Sequence, residues 1–395
     1  MRAALTRALR RAVWTLAVLG VALLLARAFV GDVYYVDSRS MAPTLHGGPR
    51  DGEYVFVRFD RRADLRRFDL VVLQRPGDSA PLVKRVAGLG GETIQLAAGD
   101  LFVGGKLLPP QAPRPAWIEL FDSGKTPLEH LFSVAHSGSL WSRTPAGWRL
   151  EAPRGRATAA ELIPRALDDY FDRYGERVGG RRQVGDLALE LEFTLEGAWA
   201  DLRLRLTEEG DRFDLVLVPG PQPGRALARF ERRSAPRFTA QVLAQTDLDF
   251  APDRAHRLVF SNIDNRLRVD LDGASAVFEH VYAENAAMWG LETGFQHQLP
   301  RAAFGGEELS LVVRRARVWR DVSWVDVGRH AVDQPFVLAP DELFVLGDNS
   351  AESLDSREWG PALREWLVGR PLAVVWPPSR WRRLTAPADD AKSSR

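Results

Sequence analysis

Ser40 lies in the run Ser38-Arg39-Ser40-Met41-Ala42-Pro43-Thr44-Leu45, a few residues beyond an apolar N-terminal segment. A serine hydroxyl is a weak nucleophile until a neighbouring base takes its proton, so this run needs a base to do chemistry. Cysteine is absent, which excludes disulfides, zinc–thiolate sites and thiol nucleophiles. Of the seven histidines, His46 has no acidic orienter at a recognisable spacing, and His130, His136, His256 and His280 fall in the middle of the chain. Lysine occurs only at Lys84, Lys106, Lys125 and Lys392. Lys84 stands in Pro81-Leu82-Val83-Lys84-Arg85-Val86-Ala87-Gly88, where apolar neighbours on both sides imply partial burial. Burial disfavours an ammonium ion and lowers its pKa, and a neutral amine can take a proton near neutral pH. Taken alone, the strand is read more simply as carrying a surface lysine beside Arg85.

The elements that must position such a pair begin at the membrane. Arg2, Arg7, Arg10 and Arg11 precede an apolar run, residues 12–30, whose only charge is Arg27. About twenty residues at a 1.5 Å rise cross a hydrocarbon core of roughly 30 Å. The basic residues before the run, and Asp32 and Asp37 after it, predict a single transmembrane helix with its N-terminus in the cytoplasm. A cleaved signal peptide is the other reading, with Ala26-Arg27-Ala28 at the cleavage site. Retention is favoured because apolar character continues through Phe29 and Val30. The net charge of +1 gives no basic field that would argue for nucleic acid.

Beyond the span the chain reads as mainly β. Strands are expected at Glu53–Val57, Asp69–Leu73, Pro81–Val86 and Glu92–Leu96, followed by a hairpin at Asp100–Leu107 turning on Gly104-Gly105. Pro109, Pro110, Pro113 and Pro115 punctuate the chain there. A second β region follows, with alternation at Leu187–Leu195, Leu202–Leu206 and Phe213–Leu217, and a hairpin from His256 to Gly273 turning on Asp264-Asn265. Such alternation favours a two-sheet sandwich. Asp168–Tyr174 is left open between helix and loop. After Pro335 the first style resumes, with strands at Glu342–Leu346 and Leu372–Trp376 around a turn and a short amphipathic stretch at Trp359–Gly369. The predicted organisation is a cytoplasmic N-terminus (1–11), a transmembrane helix (12–30), a β domain in two parts (31–112 and 329–385), an inserted β-sandwich (113–328) and a polar tail (386–395).

Three segments resemble the type I signal peptidases, in the same order and after the same kind of anchor: Ser38–Leu45, Leu82–Glu92 and Gly347–Gly360. The resemblance covers roughly residues 10–110 and 335–380 and leaves out the insertion. It implies Ser40 as nucleophile, Lys84 as general base, and Ser38 as the hydroxyl that joins the Ser40 N–H in an oxyanion hole. It implies Ser353 as the serine that orients the lysine amine, and Asp355 with Arg357 as a supporting ion pair. It further implies secreted preproteins as substrates, the lipid bilayer as a partner, no metal or cofactor, and a bacterial inner-membrane location with the catalytic domain outside the cytoplasm. The chain departs from the family at Arg39 and Gly90, where glycine and proline are common, and at Ser350-Ala351-Glu352, where Arg-Asp-Asn is more usual. The insertion resembles concanavalin-like or laminin-G-like jelly rolls, which implies a structural, protein-docking or glycan-binding role. Asp264, Asp270 and Asp272 lack the ligand spacing of a calcium loop. Two other readings are a membrane-tethered binding protein on a non-catalytic scaffold, and a self-cleaving repressor-like protease. The second expects a cytosolic chain with a DNA-binding domain. Phe29, Val33, Tyr34, Tyr35, Trp376 and Trp381 are expected to seat the domain at the lipid interface.

Overall fold

A computed structural model describes residues 14–15, 30–97, 99–108, 118–134, 141–168, 170–171, 176–180, 183–208, 211–234, 239–282, 301–322, 324–332 and 334–384. It is mainly β, as the alternation requires. The predicted transmembrane helix lies outside these residues except for Trp14, Thr15 and Val30, as do the proposed cleavage site, Phe29 and the polar tail. Among the described residues no helix is long and apolar enough to cross a membrane. The chain divides into two units: unit 1 is Met1–Pro115 with Trp324–Arg395, and unit 2 is Ala116–Ser323. Residues 324–328 thus go with unit 1, where the Val325 N–H donates to Ser350 Oγ at 2.8 Å.

Unit 1 is built on an antiparallel sheet in the order Gly31–Tyr35, Tyr54–Phe59, Leu367–Trp376, Leu70–Leu73, Leu82–Gly88, Glu342–Leu346, Ala362–Leu363, with Arg382–Arg383 paired to Leu367–Trp376. The Leu82–Gly88 strand lies between two others, with Lys84 opposite Val71 and Arg85 opposite Leu70 and Leu346. A strand flanked on both sides reads as a continuous apolar run, which is why its two charged residues stand out in the sequence. Both faces of the sheet are covered. Val71, Leu73, Val86, Leu343, Val345 and Leu367 pack in one cluster, and Met41, Leu45, Val55, Val57, Val72 and Val374 in another. Met41 and Leu45 thereby pin the segment that carries Ser40. A smaller sheet runs Phe336–Val337, Thr93–Ala97, Asp100–Val103, Lys106–Leu107. Its hairpin turns on Gly104 and Gly105, both at positive φ, as a tight two-residue turn demands.

Two regions differ from their sequence reading. Leu367–Trp376 is one long strand that begins five residues before the expected Leu372 and takes in the end of the stretch read as a turn and an amphipathic segment, Trp359–Gly369. The helix Ser356–Trp359 stops at Gly360, and Ala362–Leu363 and a 3-10 turn at Arg364–Trp366 lead into the strand. Pro371 hid that strand; it has no N–H for the ladder and is accommodated at a register shift opposite Phe56 and Val57. The described part of Asp168–Tyr174 is neither helix nor plain loop, because Tyr170–Phe171 pairs with Arg177–Val178.

Unit 2 contains two larger sheets, one of eight strands and one of seven. Their apolar residues form a common core that includes Leu189, Leu191, Phe193, Leu204, Leu215, Phe230, Phe260 and Phe304. Glu190 and Glu192 alternate with the buried leucines, so the period of two assigns one face to the core. Asp264 and Asn265 both adopt positive φ in the expected hairpin turn. Asp270 accepts from Arg268 Nε at 2.8 Å, and Asp272 from Arg254 Nη2 at 2.9 Å and the Arg257 N–H at 2.9 Å. Buried His256 holds Asp272 through Nδ1 and the Ala251 carbonyl through Nε2, a structural role.

Candidate active site

The segment bearing Ser40 leaves the Gly31–Tyr35 strand and turns at Arg39–Ala42, closed by the Ala42 N–H on the Arg39 carbonyl at 3.0 Å. Ser40 occupies the first central position of this turn and is buried. The adjacent chain is held from below by a clamp that the sequence reading missed. Glu53, with no exposed surface, accepts from Arg382 at 2.8 Å through both guanidinium nitrogens and from the His46 N–H at 3.0 Å. Arg382 also donates to the Thr44 carbonyl at 2.8 Å. Burial pushes the Glu53 carboxyl up, but the bonds from Arg382 and His46 outweigh it and leave the pKa below its ordinary value.

Lys84 reaches this turn from the centre of the sheet. Its Nζ donates to Ser40 Oγ at 2.8 Å and to Ser353 Oγ at 3.2 Å, and Ser38 Oγ lies 3.2 Å from Ser40 Oγ. Burial pushes the Lys84 pKa down from 10.5 to about 8; Asp355 and Asp348 pull it up, and Arg357 pushes it further down. The buried amine is therefore about one-tenth neutral at pH 7, against roughly one part in three thousand for an ordinary lysine. The expectation of a surface lysine fails because the segment bearing Ser40 and the turn bearing Ser353 lie over the amine and bury it.

Ser353 follows a 3-10 turn, Ser350–Glu352, and precedes the helix Ser356–Trp359, which Asp355 caps by accepting from the Arg357 N–H. The Asp355 carboxylate also takes the Gly347 N–H at 3.0 Å and the Arg357 guanidinium through Nε at 2.9 Å and Nη2 at 2.7 Å. Arg357 is buried and fully engaged, donating further to Ser350 Oγ, Ser350 O and Val325 O. Breaking a buried pair of this kind costs about 3–5 kcal/mol. The six residues expected at the site are thus brought together: Ser38, Ser40, Lys84 and Ser353 in contact, with Asp355 and Arg357 fixing the chain around Ser353.

Other parts were missed. Arg85, the neighbour of Lys84, points to the opposite face of its strand and donates to Asp348 through Nε at 2.6 Å and Nη2 at 2.5 Å, and to the Phe68 carbonyl at 2.7 Å. Thr44 donates to the same Asp348 carboxylate at 2.5 Å. This buried pair ties the strand bearing Lys84 to the Gly347–Asn349 turn and to the segment bearing Ser40. A charged residue in a central apolar strand needs a buried counter-ion, so Arg85 was the available signal. Gly347 is a close-approach position: a Cβ there would press into Ser353 Oγ and the Ser40 carbonyl. Nothing in the sequence marks that crowding.

The six residues expected at the site lie within stretches that are similar to known proteins. The family model described as signal peptidase, peptidase S26, matches residues 9–129 and 314–376. Signal peptidase I of Bacillus licheniformis is 39% identical over 83 residues, 21% of this chain and 44% of that relative. Signal peptidase I T of Bacillus subtilis (strain 168) is 38% identical over 85 residues, 21% of this chain and 42% of that protein. The chain thus spans less than half the length of these curated relatives. Among solved structures, the carbohydrate-binding module CBM66 from Bacillus subtilis aligns at 9% identity and a TM-score of 0.31, covering 47% of this chain and 94% of that module. The part of this chain that brings Ser40, Lys84 and Ser353 together is the part that is similar to the signal peptidases of family S26.

Proposed function

We propose that this protein is a membrane-bound serine endopeptidase that removes signal peptides from secreted preproteins with a Ser40–Lys84 dyad. The observation that carries the reading is the buried Lys84 amine, 2.8 Å from Ser40 Oγ, in segments similar to the signal peptidases. In its neutral form Lys84 accepts the Ser40 proton as Oγ attacks the carbonyl of the scissile bond. The carbonyl oxygen becomes an oxyanion, met by the Ser40 N–H and the Ser38 hydroxyl. Lys84 then returns the proton to the leaving amine, and the C–N bond breaks to leave an acyl ester on Ser40. Water, deprotonated by the same amine, attacks the ester carbon; the bond to Ser40 Oγ breaks, the signal peptide leaves as a carboxylate, and Lys84 returns the proton to Ser40. Ser353 keeps the amine aimed at Ser40 throughout. The substrate lies extended against a strand edge, with small side chains one and three residues before the cut.

The test is preprotein cleavage in detergent by wild type, Ser40→Ala and Lys84→Ala proteins. The variants are expected to lose at least about a thousandfold in rate, since nucleophile and base act as a unit. Equal processing by all three sinks the proposal.

The membrane part of the reading rests on the apolar run 12–30 and on the exposed Val33, Trp376 and Trp381. Serine at both tryptophans is expected to weaken liposome association of the full chain, and unchanged association discards the lipid seat. For unit 2 the reading is a docking module for a protein or glycan partner. Preprotein cleavage unaffected by deleting it, with no partner captured by the intact chain, counts against that role.

A further inference from the structure

Asn349 touches the nucleophile turn twice. Its backbone N–H donates to the Ser40 carbonyl at 3.0 Å, and its side-chain Nδ2 donates to the Arg39 carbonyl at 3.2 Å. The orientation of the amide follows from its surroundings. Nδ2 also faces Glu352 Oε2 at 3.4 Å, so both neighbours are acceptors and a flipped amide would set oxygen against oxygen.

The Arg39 carbonyl therefore has two donors, Asn349 Nδ2 and the Ala42 N–H. That carbonyl and the Ser40 N–H belong to one peptide plane. The Arg39–Ser40 bond is not among the cis peptides, and in a trans peptide the C=O and N–H point in opposite directions. Two hydrogen bonds on the carbonyl side thus set the direction of the N–H on the other side. They also polarise the amide, which strengthens its N–H as a donor. Arg39 itself is exposed, so without the Asn349 amide one of these anchors passes to water.

We infer that Asn349 is a positioning residue for the oxyanion hole: it grips the Arg39–Ser40 peptide by its carbonyl and so aims the Ser40 N–H at the developing oxyanion. The inference rests on the peptidase reading above and adds to it a residue that touches neither substrate nor Lys84.

The test uses the full chain in detergent with a peptide substrate spanning a signal-peptide cut. Wild type, Asn349→Ala, Asn349→Asp and Ser40→Ala are compared. Asn349→Asp keeps the shape and the backbone N–H but has no side-chain donor, so it stands in if the alanine variant folds poorly. A peptide aldehyde ending at the residue before the cut gives a second readout. Ser40 Oγ bonds to its carbonyl carbon, the π pair moves to the aldehyde oxygen, and the serine proton passes to the Lys84 amine. The resulting hemiacetal oxyanion occupies the oxyanion position.

Removing an oxyanion donor outright costs about 10²–10³ in kcat, so loss of a group that only aims the donor is expected to cost about tenfold. KM should be near wild type and aldehyde inhibition about tenfold weaker; for Asn349→Ala, which adds no charge, the midpoint of the pH profile should be unchanged. The matching peptide alcohol, which cannot form the oxyanion, should inhibit all forms alike. An Asn349 variant within twofold of wild type in kcat and aldehyde inhibition overturns the inference alone. So does equal weakening of aldehyde and alcohol, which marks general packing. A wild type no faster than Ser40→Ala overturns the peptidase reading, and this inference falls with it.

Discussion

Replacing Lys84 with methionine separates the cost of burying the base from its use. With a pKa lowered from 10.5 to about 8, the protonated amine is less stable in the fold than in the unfolded chain. At about 1.4 kcal/mol per tenfold, that penalty is about 3 kcal/mol at pH 7. Below about pH 8 both states hold the proton and the penalty is complete. Between about 8 and 10.5 the unfolded chain still holds it while the folded chain has released it, so the contribution of Lys84 to stability rises with pH across that window. Methionine does not titrate and has a similar volume. The Lys84→Met protein loses the bonds to Ser40 and Ser353, each worth about 1 kcal/mol, which offsets part of its gain. That offset hardly changes with pH. The stability difference between variant and wild type should therefore shift in favour of wild type by about 3 kcal/mol between pH 7 and pH 10.5. Urea unfolding of the full chain in detergent, followed by tryptophan fluorescence at a series of pH values, measures it. Lys106→Met, at an exposed residue, serves as the control. Curves for Lys84→Met and wild type that run parallel within about 0.5 kcal/mol refute the claim that burial depresses this amine.

Two further outcomes follow from the same geometry. The rate of preprotein cleavage should rise with pH to a half-maximum near 8 and fall about tenfold per pH unit below it, since only the neutral amine accepts the serine proton; a flat profile down to pH 6 removes the amine from the role of base. Gly347→Ala should lower kcat by about a hundredfold, because the added methyl group displaces Ser353 or the Ser40 carbonyl and small misplacements at a reacting centre are costly. Wild-type turnover in that variant, measured on the same peptide, would show that the crowding at Gly347 is relieved without moving the dyad.

Much of this arrangement was legible in the chain because it depends on residue type and local order. Scarcity of lysine left few candidates for a base, and the apolar run around Lys84 pointed to burial. Hairpins at Gly104-Gly105 and Asp264-Asn265 were readable because two consecutive left-handed residues restrict the amino acids that fit. The long strand Leu367–Trp376 was cut short in the reading because Pro371 signals a break unless a register shift is known to absorb it. Likewise, Glu53 and Arg382 carry no local sign of pairing, being 329 residues apart.

The sequence by itself determined that a serine stands near one lysine suited to burial, that thiol chemistry is excluded, and that the bulk of the chain alternates as strands. Tertiary structure decided what those residues do to one another. The Lys84 amine is depressed because the segment bearing Ser40 and the turn bearing Ser353 bury it. Ser353 meets it because Asp355 and Arg357 fix a turn 269 residues away in the chain. Distances across such separations depend on sheet order and register, which no run of residues encodes locally. Hence the chemistry of Ser40 was readable as a candidate, while its geometry, down to the peptide plane gripped by Asn349, had to come from the fold.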